Sequence, residues 1–316
     1  MSAPSPRSAA VADESAVPRE RFTDADLREL EGGVPRVPWD EVRDVMAEGY
    51  DAHTLEPRPP HGKDDRDHVD GWGAGQHFAI FSPTEGGKSH LIRYGLLPLW
   101  KRYPVMWVRV KQRDDSTRGF GTRVDRYPVL ERAKYRIRHR NSRAWEDDPE
   151  WFLLQLGAYH FDANASRDQS ASWQHARRVC GEALDKCFRE GGWVVVVDEI
   201  QAVNGAKPPG LDLNAALENA YQRGRTQPIT IISASQQPAW NAPSVYDQAR
   251  WVALGRALDE SRFERIGELG GSRERIEEEL PHLRGARPGP PEFLIVDRWT
   301  GAMWITSAPP APHSRR

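Results

Sequence analysis

The chain has 316 residues, 38% of them apolar, and a formal charge of −2. That length holds one large α/β domain or two small ones and supplies a core of enzyme size. A near-neutral balance excludes a surface-wide positive field for holding a polyanion, so any basic patch has to be local. No run approaches the roughly 18 consecutive apolar residues of a membrane span, and the N-terminus lacks the apolar core of a signal peptide; the expectation is a cytoplasmic chain without membrane insertion. Cys180 and Cys187 stand seven residues apart in one helical pattern. That separates their Cα atoms by roughly 10 Å, too far for a disulfide, and they read as small buried thiols.

Residues 1–20 offer little to bury and read as a disordered leader. Short helical patterns follow at "DADLREL" and "PWDEVRDVM", then a polar run, "PRPPHGKDDRDHVDGWGAG", that reads as a solvated linker rather than a metal site. The expected organisation is a leader and linker over 1–70, a folded domain over 71–308 with a basic insertion at about 111–150, and a disordered tail over 309–316. The regular elements of the domain begin near Gln76.

From there short apolar runs alternate with longer amphipathic ones, the pattern of a parallel sheet with crossover helices. "HFAIFS" is the first strand and "GKSHLIRYGLLPLW" the helix after it; "PVMWVRVK" is the second strand. After an irregular basic stretch, the helix "SASWQHARRVCGEALDKCFRE" leads to the strand "WVVVVDE", and the helix "LDLNAALENAYQRGR" leads to "PITIISAS". "RWVALGR" is a fifth strand, "ESRFERIGEL" and "SRERIEEEL" are helical, and "EFLIVDRWTGAMWITS" forms a hairpin across Trp299, Thr300 and Gly301. Tryptophans such as Trp107 and Trp193 sit inside apolar strand patterns and are expected in the core rather than stacked on bases.

Ser82, Pro83, Thr84, Glu85, Gly86, Gly87, Lys88 and Ser89 fit G-x-x-x-x-G-K-[ST] at every fixed position except the first. Such a loop turns backbone N–H groups toward a phosphate at a helix N-terminus, adds a lysine for the β- and γ-phosphates, and supplies a hydroxyl for Mg²⁺. Ser82 is the departure, and a small residue is accommodated there if its backbone angles stay in an allowed region. The four-valine strand ends in Asp198 and Glu199. In a phosphate-loop enzyme an aspartate at that tip holds hydrated Mg²⁺ and a following glutamate polarises the attacking water. "ITIISASQQP" presents Ser233, Ser235, Gln236 and Gln237 near its carboxyl end, where open α/β sheets put ligands. Either one of these side chains senses a γ-phosphate or the run is a serine-rich strand exit.

Three stretches together, "GQHFAIFSPTEGGKS", "VVVVDEI" and "GRTQPITIISASQQPAWNAPSVYDQARWVALG", resemble the FtsK/HerA superfamily of ATP-driven DNA-pumping motors over roughly residues 72–306. Arg225, Ile229 to Ile232, Ser235, Gln236 and Pro238 match the family's arginine, strand and Gln-Arg-Pro region, with Gln237 in place of the arginine. The resemblance implies a RecA-like P-loop NTPase fold of the additional-strand type: a mostly parallel sheet flanked by helices, the Gln236 strand between those of the phosphate loop and Asp198, and a C-terminal β-hairpin. It also implies ATP and Mg²⁺ as cofactors, Gln236 as sensor, and Arg223 or Arg225 reaching a neighbouring subunit's γ-phosphate in a ring, as in a hexamer.

Between Lys101 and Arg143 the chain is dense in basic residues. Arg113, Arg118, Arg123 and Arg126 are candidates for backbone contact with double-stranded DNA in a ring channel, without sequence readout; pairing with carboxylates is the alternative. The implied function is an ATPase coupled to DNA translocation, for packaging or conjugative transfer, with a portal or transfer-channel protein as partner. The shortness of the chain favours packaging. A nucleotide-gated assembly module with little turnover and no DNA is the second reading, and a small-molecule kinase a weaker third.

Overall fold

The computed structural model describes residues 33–58, 67–100, 103, 105–109, 125–126, 151–155, 168–205, 210–224, 226–236, 245, 247–256, 270–286 and 289–310. The leader, the expected helices at "DADLREL" and "ESRFERIGEL", most of the basic stretch, Arg225 and Gln237 lie outside the described residues. No helix among the described residues is long and apolar enough to cross a membrane.

Helix α1 (Trp39–Glu48) opens the described chain and is followed by the paired strands β1 (Tyr50–Asp51) and β2 (His68–Val69). The main sheet then begins with β3 (His77–Phe81), whose five residues are all buried. After the phosphate loop a mixed helix, α2, starts with Lys88–His90, widens to a π-helix over Leu91–Leu96 and tightens to 3₁₀ over Leu97–Trp100. Strands β4 (Val105–Arg109), β5 (Asp125–Arg126) and β6 (Trp151–Gln155) precede the long helix α3 (Asp168–Glu190) and strand β7 (Val194–Val197). Helices α4 (Ile200–Asn204) and α5 (Asn214–Arg223) lead to β8 (Thr230–Ser235) and β9 (Ala249–Gly255). Helix α6 (Arg273–Glu279) and the hairpin β10 (Glu292–Asp297) with β11 (Met303–Ser307) complete it.

The strands lie in the order β11-β10-β9-β3-β8-β7-β4-β6-β5. Pairing is parallel from β9 to β5 and antiparallel between β9 and β10 and within the hairpin. Strand β8 lies between β3 and β7, so this is the RecA-like additional-strand P-loop arrangement that the resemblance implies. Strand β6, parallel to β4, falls in the stretch expected to be irregular. Its apolar run "WFLLQ" satisfies the composition of a buried strand, but the polar segments around it obscure the alternation.

Period-2 alternation splits the strand side chains between two faces. Phe78, Ile80, Trp107, Val194, Val196 and Trp251 pack under α1 and α2. On the opposite face Val195, Val197 and Ile231 meet α3, α4 and α5, while Val252, Leu254 and Leu294 meet α6. Trp107 and Trp193 are core residues, as their patterns predict. Both cysteines are free and buried, and burial pushes the Cys180 thiol up to about 12.

The expected boundary at residue 71 is not the edge of the packed body. Trp39, Val42, Val45 and Met46 of α1 belong to the core under β3, and Trp72 of the expected linker is buried beside Phe78 and Trp100. The order of this polar stretch comes from a distant residue. Arg250, fully buried, donates to the carbonyls of Asp70 and Gly71 and to Gln76 Oε1, and pairs with Asp297 at 2.9 Å. Asp297 accepts in addition from the Tyr50 hydroxyl and from the Trp299 amide. Burial, then the Asp297 carboxylate, pushes the Tyr50 phenol well above its ordinary value. Near the other end of the described chain the carbonyl of Pro309, expected in the tail, lies 2.6 Å from His90 Nε2 on α2.

Replacing one member of a buried ion pair leaves the other charge uncompensated, typically at a cost of about 3–5 kcal/mol. Arg250→Met is expected to destabilise by that order in urea unfolding and to release the 67–76 segment to limited proteolysis; a loss below about 1 kcal/mol would show that the pair and its carbonyl contacts do not hold this segment.

Candidate functional site

The phosphate loop runs from the carboxyl end of β3 into α2. Two of its residues take left-handed backbone angles, Glu85 (φ 59°) and Gly87 (φ 86°), and Ser82 does not. The first position of the motif therefore has no conformational need for glycine here. What it needs is space. A Cβ on Gly255, at the end of the neighbouring β9, would lie 2.3 Å from Ser82 Oγ, and one on Gly86 would lie 2.0 Å from it. Two glycines thus make room for the Ser82 side chain, which is buried and donates to the Gly86 carbonyl at 3.2 Å. Gly87 is bare for a second reason, since a Cβ there would meet Pro291 Cγ at 2.3 Å.

Lys88 Nζ donates to the carbonyls of Ser82 (2.7 Å) and Pro83 (2.9 Å), which folds the ammonium back over the loop it serves. Ser89 Oγ donates to Asp198 Oδ2 at 2.6 Å. This contact closes the gap between the loop and the tip of β7, two strands away. Glu199 follows as the non-helical residue before α4 (φ −132°, ψ 85°). Gln236 follows β8, half-buried, in the strand position between loop and acid. The structure thus gathers Ser82 to Ser89, Asp198, Glu199 and Gln236 at the carboxyl edge of three adjacent strands. Ser233, by contrast, is turned inward and bonds the Phe78 carbonyl.

Arg223 is not brought to the loop. It is exposed in the last turn of α5, and that turn is held at the opposite, amino edge of the sheet: His77, which starts β3, bonds the Tyr221 carbonyl through Nε2 and accepts the Ile231 amide at Nδ1. Arg113, Arg118, Arg123 and Arg225 lie outside the described residues, and Arg126 is placed only by its backbone, in edge strand β5.

Two features escaped sequence reasoning. A cavity of about 330 Å³ opens from the loop on the side away from Asp198, with residues 82–86 as one wall and Arg256, Arg284, Ala286, Pro291 and Glu292 as the other. Arg284 is fixed there by Ser307 Oγ (2.6 Å), the Pro290 carbonyl (3.0 Å) and Glu292. The second is Gln201 on α4, whose Oε1 accepts from Ser235 Oγ at 2.9 Å. Neither has a sequence signal, because each joins elements far apart in the chain. Among the described residues no group of three or more His, Cys, Asp or Glu side chains is arranged to hold a metal. A hydroxyl and a single carboxylate in contact do fit Mg²⁺, which keeps several waters and takes few protein ligands.

No protein-family model and no curated protein matches the chain. Solved structures similar to it include the DNA-packaging ATPase B204 of Sulfolobus turreted icosahedral virus, at 15% identity over 76% of this chain and 100% of that one, with a TM-score of 0.46. The pCW3 conjugation coupling protein TcpA, in complex with ATPγS, is 14% identical over 76% of this chain and 62% of its own, with a TM-score of 0.44. The cytoplasmic domain of the type VII secretion ATPase EccC of Thermomonospora curvata is 15% identical over 89% of this chain and 28% of its own, with a TM-score of 0.43.

The packing of Ser82 against Gly255 makes a coupled prediction. Gly255→Ala overpacks the loop and is expected to destabilise by about 1–3 kcal/mol. Ser82→Gly removes the clashing hydroxymethyl group, so the double variant should regain most of that loss in urea unfolding; losses that simply add would refute the contact.

Proposed function

We propose that the chain binds ATP with Mg²⁺ between the phosphate loop and Asp198 and hydrolyses it. The observation that carries this reading is the 2.6 Å contact of Ser89 with Asp198, which joins the two halves of a phosphate-transfer site from residues 109 positions apart. Ser89 and Asp198 would hold the metal, which when bound offsets the charge of the phosphates. Lys88 exchanges its two carbonyl partners for phosphate oxygens, and the loop amides bind the rest. Glu199 orients the attacking water and accepts its proton, and Gln236 donates to the γ-phosphate. With the metal end fixed toward β7, the nucleoside end extends the other way, into the cavity beside Arg256 and Pro291. Its volume lies at the lower end of the roughly 300–1,000 Å³ of small-molecule pockets. Its lining balances Arg256 and Arg284 against Glu85 and Glu292, with Arg284 and Glu292 paired, which suits the uncharged part of a nucleotide.

The motor reading extends this to DNA. It is supported by the resemblance in "GRTQPITIISASQQP" and by the one-signed basic stretch holding Arg113, Arg118, Arg123 and Arg126, which would contact the duplex backbone. Arg223 faces the edge away from its own loop, so an arginine-finger role for it requires a neighbouring subunit, as in a hexameric ring; Arg225 is the other candidate for that role. DNA packaging or conjugative transfer, with a portal or channel protein as partner, is the process we assign. The assembly-module reading would draw on the two departures from the family pattern, Ser82 and Gln237; Ser82 packs without a left-handed backbone and so gives it no support.

Lys88→Ala is expected to abolish ATP binding in calorimetry. Glu199→Gln should bind ATP with unchanged affinity and lose about 100-fold or more in phosphate release. Duplex DNA should stimulate the wild-type rate; ATP turnover indifferent to DNA would move the chain to the assembly reading. Ala286→Trp, filling the cavity, should weaken ATP binding while leaving that of inorganic tripolyphosphate unchanged, and equal effects on both would displace the nucleoside from the cavity.

A further inference from the structure

Ser235 touches both halves of the site at once. As the last residue of β8 it stands in register with Phe81, and its carbonyl accepts the amide of Ser82, the first loop residue, at 3.1 Å. Its hydroxyl points the other way and donates to Gln201 Oε1 at 2.9 Å. Gln201 is the second residue of α4, the five-residue helix that begins directly after Glu199. Glu199 caps this helix through its backbone, accepting the Ala202 amide at 3.0 Å. The apolar side of α4 is fixed by Ile200 and Val203, both fully buried, so its height over the sheet is set by packing. Its far end is held by the amides of Leu211 and Leu213, which donate to the Ala202 and Val203 carbonyls, and at its first turn, next to Glu199, the Gln201 side chain is held by Ser235. Ser235 itself is 1% exposed, which keeps water from competing for the bond.

Resting on the ATPase reading above, we propose that Gln201 is a positioning residue for hydrolysis, acting through Ser235: the pair ties the first turn of α4, and with it Glu199, to the start of the phosphate loop and to the neighbouring Gln236. The link runs through two hydrogen bonds, from Ser82 to the Ser235 carbonyl and from the Ser235 hydroxyl to Gln201. A shift of the loop as it takes phosphate, or of Gln236 as it meets the γ-phosphate, is thereby passed to the acid that orients water. Gln201 touches neither phosphate nor metal in this arrangement. Its loss should leave nucleotide affinity alone and act on the chemical step.

The test separates kcat from binding in the full chain. Gln201→Leu keeps the volume and removes the acceptor; it should lower kcat about tenfold or more, the scale on which a misplaced catalytic group acts, while the ATP Kd stays within about twofold. Ser235→Ala should reproduce that loss, and the double variant should be no slower than either single one, because both remove the same bond. Ser235→Thr and Gln201→Glu each retain a hydroxyl donor or an oxygen acceptor and should recover most of the rate. Unchanged kcat in Gln201→Leu, multiplying losses in the double variant, or a parallel fall of kcat, ATP affinity and melting temperature would each overturn the proposal. Wild-type protein that binds no ATP would instead remove the reading on which it stands.

Discussion

The site depends on the insertion of β8 between β3 and β7. Strands in a sheet are spaced by about 4.8 Å, so an intervening strand separates loop and acid by roughly 10 Å at the backbone. Side chains have to span that gap. Ser89 does so from the first turn of α2, reaching Asp198, while Ser235 fills the middle with one contact to each side. The same insertion places Gln236 between them.

Rigidity at that edge is supplied from elsewhere in the molecule. Strand β3 is buried along its whole length, with β8 on one side and β9 on the other. Strand β9 carries Arg250 at its opposite end, where it collects Asp297, the carbonyls of residues 70 and 71, and the stacked ring of Trp299 at 4.4 Å. A buried charged pair is rarely a net source of stability against an apolar replacement. Here it satisfies backbone carbonyls that an apolar side chain would leave unpaired, and so holds the strap of residues 67–76 against the end of the sheet. Both ends of the described chain converge on the loop's own layer: α1 packs beneath α2, and the Pro309 carbonyl meets His90 one residue after Ser89.

Ser82 illustrates what a consensus glycine encodes. The requirement at that position is for small volume near the β9 backbone and for an allowed φ; the second condition is met by any residue here, and the first is met by Gly255 and Gly86 giving up their own side chains. The departure from the motif is therefore a redistribution of space among three residues. Its hydroxyl is directed at the Gly86 carbonyl and so braces the loop from within.

The loop from Ser82 to Ser89, the valine strand ending at Asp198 and the parallel order of the elements were legible in the residues alone, because phosphate chemistry and strand burial act on local composition and spacing. The strand of residues 230–235 was legible in its apolar run, but its place between the loop strand and the acid strand only through the family resemblance, and β6 not at all, since a five-residue apolar run has no period that separates it from a loop fragment. The membership of α1 in the core, the strap held by Arg250, the cavity beside Arg256 and the Ser235 to Gln201 link were decided by tertiary structure. Each depends on which strands become neighbours, and that follows from the global packing of the sheet, in which residues more than a hundred positions apart come within one hydrogen bond of each other.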